Sequence, residues 1–110
     1  MARNELPTSV QHLIQQHLDS AADVETLLLL RRDHRGWTAR AVARELRIDV
    51  EQAANILARL RRTGLLRRTE DGTYRFDPRE PDLAGAVARL AQLYPAYRVA
   101  VVHQLYGRDA

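Results

Sequence analysis

The side chains with chemical reach are few in kind: four histidines, no cysteine, fourteen acids and seventeen basic residues. Without cysteine there is no thiol nucleophile, no thiolate metal site and no disulfide framework. The only serines, Ser9 and Ser20, sit where helix caps belong, so a nucleophilic triad has little to start from. His12 and His17 are five positions apart and point to different faces. His34 lies in a loop-like Asp-His-Arg-Gly, and His103 falls in an apolar C-terminal stretch. No histidine has a carboxylate at metal-ligating spacing, and no glycine-rich phosphate loop occurs. The expectation is a protein that is not an enzyme and uses no metal or cofactor.

Every basic residue is arginine, which a GC-rich bacterial genome explains without any function. The placement of the arginines is more telling. Residues 1–30 carry Arg3 against four acids, a net −3, and residues 69–110 carry five arginines against six acids, a net −1. Residues 31–68 carry eleven arginines against Asp33, Glu45, Asp49 and Glu51, a net +7. Charge gathered in one third of a chain points to a polyanionic partner more directly than the overall +3 does.

The elements that position these arginines read as mostly helical. At 110 residues and 45% hydrophobic content, the chain is expected to form one domain over residues 1–110 with a real core. Its longest apolar runs, Leu27–Leu30 and Val99–Val102, are four residues long. A membrane span needs about 20, so none is expected, and without a secretory signal the expected compartment is cytoplasmic. Thr8 or Ser9 can cap a first helix over 9–19, and Ser20 with Asp23 resembles a capping box for a second. Gly36 would stop that second helix. Trp37 is extended, and Thr38 caps a third helix with Val42, Ala43 and Leu46 inside. Asp49 with Gln52 would box the fourth, whose apolar face is Val50, Ala53, Ile56, Leu57 and Leu60. Gly64 ends it as a left-handed cap. A hairpin follows over about 65–76, turning at Glu70-Asp71-Gly72, so that Arg67 faces Arg75 and Thr69 pairs with Thr73. Asp82 caps a last helix that Pro95 kinks or restarts. The fold class is mainly α, in an α+β arrangement.

The stretch Leu27–Phe76 resembles the winged helix-turn-helix domain of bacterial transcription regulators, MarR-like or related. The resemblance rests on Thr38, Val42-Ala43, Leu46, Ile48, Ala53, Leu57, Leu60 and Gly64-Leu65-Leu66-Arg67 running into a hairpin. It implies a winged helix-turn-helix core over 21–77, a recognition helix over about 50–63 and a wing over about 65–76. Its implied partner is double-stranded DNA. The face opposite the apolar stripe carries Gln52, Asn55, Arg59 and Arg62 at spacings of three, four and three. Gln52 and Asn55 would meet base edges, and Arg59 and Arg62 phosphates. Arg67 and Arg75 on the wing, with Arg40 and Arg44 on the preceding helix, would add backbone contacts. The same residues equally describe a solvated helix face and ordinary surface ion pairs, and Glu51 beside the reading face would repel phosphate.

Flanking helices over 9–19 and 83–106 exceed what such a core needs. In regulators of this kind they build a two-fold interface, which implies a homodimer through Leu83, Val87, Leu90, Tyr94, Val102, Leu105 and Tyr106. The same stripe could instead pack within the monomer. A second functional reading is a winged helix that binds a protein partner without strong DNA affinity, favoured by Glu51 and Val50.

Overall fold

In the computed structural model, which describes residues 6–106, the elements run in the order α1 (Thr8–His17), α2 (Ala21–Arg32), α3 (Ala39–Leu46), α4 (Val50–Arg62), β1 (Leu66–Arg68), β2 (Tyr74–Phe76) and α5 (Pro81–Tyr106). The molecule is mainly helical with one small antiparallel sheet. No helix among the described residues is long and apolar enough to cross a membrane.

Local caps explain most boundaries. Ser20 Oγ accepts from the Asp23 amide at 3.2 Å, and the Asp23 carboxylate accepts from the Asp19 amide at 2.9 Å, so the expected box forms one residue wider than usual. Thr38 Oγ1 accepts from the Ala41 amide at 3.0 Å and starts α3. Asp49 has the extended backbone of a cap, but its side chain makes no capping bond, so the expected box with Gln52 is absent. Pro7, not Thr8 or Ser9, precedes α1, and its carbonyl takes the Val10 and Gln11 amides at 3.0 Å each. Asp82 lies in the first turn of α5 rather than at its cap, because Pro81 occupies the first helical position, where a missing N–H costs nothing. The helix continues through Pro95 without a restart.

Two left-handed residues shape the middle of the chain. Arg47 (φ 58°, ψ 48°) ends α3, and the Ile48 amide reaches back to the Ala43 carbonyl at 3.1 Å, closing the turn that leads into α4. Gly64 (φ 90°) ends α4 with the paired bonds Leu65 N–H to Leu60 O and Gly64 N–H to Arg61 O, both 3.0 Å. The second helix stops at Arg32, before Gly36. Gly36 serves another purpose: a Cβ there would land on the Thr73 side chain, so glycine lets this loop lie against the hairpin. Beside it, Trp37 exchanges both backbone bonds with Tyr74 at 2.8 Å each. The Trp37 segment therefore flanks β2, and the far edge of β1 stays open.

One continuous core joins the elements. Val24, Leu27 and Leu30 of α2 pack with Val42, Ala53, Leu57, Leu60 and Leu65, and Trp37 is buried in the same core with its indole N–H donating to the Asp33 carbonyl at 3.1 Å. Helices α1 and α5 pack against each other, and α5 also reaches α2. This packing places most of the expected interface stripe inside one chain. Val87, Leu90 and Leu105 are 0%, 0% and 2% exposed within one chain, where α5 packs against α1 and α2. Leu83 and Tyr94 are half-buried against the same core, and Val102 is half-buried as well. The Tyr94 hydroxyl lies 3.4 Å from Glu25 Oε2, and the Tyr106 hydroxyl accepts from the Ala21 amide at 3.0 Å. Of the seven expected interface residues, only Tyr106 remains well exposed.

Candidate nucleic-acid interface

Helix α4 buries Ala53, Ile56, Leu57 and Leu60, the expected stripe without its first member. Val50 is 47% exposed, because it lies at the margin of that stripe in the opening turn. The opposite face presents Gln52, Asn55 and Arg62 to solvent, with Glu51 among them.

Arg59 does not join them. Its guanidinium turns toward the start of α2, where Nη2 donates to Asp23 Oδ1 at 2.6 Å and Nε lies 3.4 Å from Asp19 Oδ2. Asp23 is fully buried, and the hydrogen bond from Arg59 raises the arginine's pKa above its ordinary value. At 30% exposure this arginine fastens α4 to α2, so its guanidinium turns away from the outer face where spacing put it. Position 59 falls between Asn55 and Gln52 around the helix, so the turn toward α2 comes from a long side chain reaching the buried Asp23 carboxylate and not from helical angle.

The hairpin forms in the expected register, with Leu66 opposite Phe76, Arg67 opposite Arg75 and Arg68 opposite Tyr74. The Gly72 amide bonds the Thr69 carbonyl at 3.0 Å and the Thr69 amide bonds the Thr73 carbonyl at 2.8 Å, a three-residue turn closed by left-handed Gly72. Arg67 and Arg75 are both exposed on one side. The counter-charge that this like-charged pair calls for is partly internal, since Arg67 Nε donates to Asp77 Oδ2 at 3.0 Å. Arg40 and Arg44 are exposed one turn apart on α3.

No family model matches this chain, and no curated protein or solved structure matches it either. The interface therefore stands on its own geometry. Three arginines that periodicity did not single out complete it. Arg61 and Arg62 at the end of α4, Arg67 and Arg68 on β1, and Arg79 after β2 line an open groove of about 650 Å³. Backbone bonds from Asp77 to Leu65 (3.1 Å) and from Arg79 to Gly64 (2.7 Å) hold the returning chain there. Among the described residues, Arg61, Arg62, Arg68 and Arg79 have no carboxylate within 4.0 Å. The signal for Arg61 and Arg68 was the Arg-Arg doublets on either side of Gly64. Arg79 gave none, because only the returning chain brings it there.

Proposed function

We propose that residues 21–77 form a winged helix-turn-helix and that the protein is a DNA-binding transcription regulator. One observation carries the reading: α3, a left-handed turn at Arg47 and α4 lead directly into a hairpin, while α4 keeps Gln52, Asn55 and Arg62 on its outer face. In this reading the outer face of α4 turns toward the major groove and the hairpin lies along the backbone. Arg40 and Arg44, exposed on α3, and Arg67 and Arg75, exposed on the hairpin, supply charge for phosphate in this reading.

The test is binding of the purified protein to a random-sequence duplex at about 50 and then 200 mM salt, where phosphate contacts make affinity fall steeply. Steep loss of affinity supports the reading and justifies selection of an operator from a random library. No binding at the lower salt refutes it. A second reading, docking to a protein, is favoured by the exposed Val50 beside Asp49 and Glu51 at the start of α4. It expects a stable protein complex from the same preparation that ignores DNA.

A further inference from the structure

Charge is unevenly distributed along both elements of the candidate interface. Helix α4 opens with exposed Asp49 and Glu51 and closes with exposed Arg61 and Arg62. The hairpin carries exposed Glu70 and Asp71 at its tip, with Arg67 and Arg75 paired in its strands and Arg68 at the turn end of β1, opposite Tyr74. Asp71 is firmly ionised. Hydrogen bonds from the Thr69 hydroxyl, then from the Thr73 hydroxyl and amide, lower its pKa to about 2. A tip of this charge is repelled by a minor groove, and the first turn of α4 is repelled by the phosphates that border a major groove.

The basic end of α4 meets the arginines of β1. Arg61 and Arg62 complement the negative end of the α4 dipole, which explains arginine at those two positions without any ligand. It does not explain Arg68 and Arg79, which come from a strand and a connector and converge on the same groove. The groove holds five arginines against one carboxylate, Asp77, which already pairs with Arg67. Glu80, next along the chain, does not line the groove. Residues of β1 form one wall of this open groove, and among the described residues no third strand pairs with β1.

Resting on the DNA reading above, we infer that one sugar-phosphate strand of duplex DNA lies in this groove, held by Arg61, Arg62, Arg68 and Arg79. The duplex is approached by the closing half of α4 and the β1 side of the hairpin, while the acidic opening turn of α4 stays outside. Most of the affinity is then sequence-independent, and Arg62 and Asn55 lie nearer the bases than Gln52.

The experiment measures anisotropy of a labelled random duplex against salt for two triple variants that lose the same charge. One is Arg61→Ala/Arg68→Ala/Arg79→Ala; the other is Arg31→Ala/Arg89→Ala/Arg98→Ala, away from the groove. Circular dichroism confirms that each is folded. The groove variant is expected to bind about tenfold or more weaker, with a salt slope shallower by roughly 2 to 3, since each phosphate contact contributes about 0.9. The second variant should keep a slope near that of the wild type. Equal losses in the two variants would reduce the effect to net charge and overturn the groove. Full binding by the groove variant, with loss in Gln52→Ala/Asn55→Ala, would overturn it and leave the DNA reading standing. A tight ATP complex that duplex fails to displace would assign the groove to a free phosphorylated ligand, which also overturns the proposal. A wild-type protein that binds no duplex would end both readings.

Discussion

Replacing Arg59 with alanine is expected to cost stability, not DNA contacts. Asp23 is wholly buried, and its carboxylate is satisfied by the Asp19 amide, the Ser20 hydroxyl and Arg59. Removing one partner of a buried ion pair costs about 3–5 kcal/mol, because the other charge is left without compensation. Here two uncharged donors remain on Asp23 and Arg59 is itself partly hydrated, so the lower end, about 3 kcal/mol, applies. Asp23→Ala loses a charge-assisted bond of about 1.5–3 kcal/mol and a capping contribution of about 1 kcal/mol, for a similar total. The two losses share one interaction. The double variant should therefore cost less than their sum, with a coupling of about 2 kcal/mol in a double-mutant cycle. Urea titration followed by circular dichroism reads this directly, as a lower midpoint with an unchanged slope. The salt slope of DNA binding should stay where it was. If Arg59→Ala keeps its stability within about 0.5 kcal/mol, as an ordinary surface substitution would, the inward placement is wrong. A simultaneous drop of about 0.9 in the salt slope would return this arginine to phosphate.

Two further expectations concern α5 and α1. Leu90→Ala should destabilise the chain by about 2–5 kcal/mol through a core cavity. Because Leu90 is fully buried within one chain, the loss should not vary with protein concentration; a concentration-dependent midpoint would restore this residue to a subunit interface. His17 is half-buried, its Nδ1 has no hydrogen-bond partner, and burial lowers its pKa below the ordinary 6.5, with Glu80 opposing. The unfolded chain therefore binds the proton more readily than the folded one. Stability should fall as pH drops through 6.5 toward the lowered value and level off below it. His17→Gln should remove that component, and an identical pH profile in the variant would refute the assignment.

The parts legible in the sequence were those set by neighbours along the chain. A glycine in a three-residue turn fixes the pairing across it, so Arg67 could be placed opposite Arg75 before any coordinates. Thr38 and Ser20 likewise act within three residues of themselves. The failures share a different cause. Arg59 and Asp23 are 36 positions apart, and helical spacing shows only that residue 59 lies away from the apolar stripe, not that a carboxylate waits beside it. The α5 stripe has the same spacing whether α1 or a second copy covers it, so periodicity could not choose between them. Arg79 reached the groove only through a backbone bond to Gly64. These failures bear on function in one direction. They take the Arg59 guanidinium off the expected outer face and most of the expected dimer stripe out of solvent, and they bring Arg61, Arg68 and Arg79 to one groove. Exposed arginines gather in the groove between the closing end of α4 and β1. A protein built this way, if it binds DNA, would grip the backbone first and read bases second.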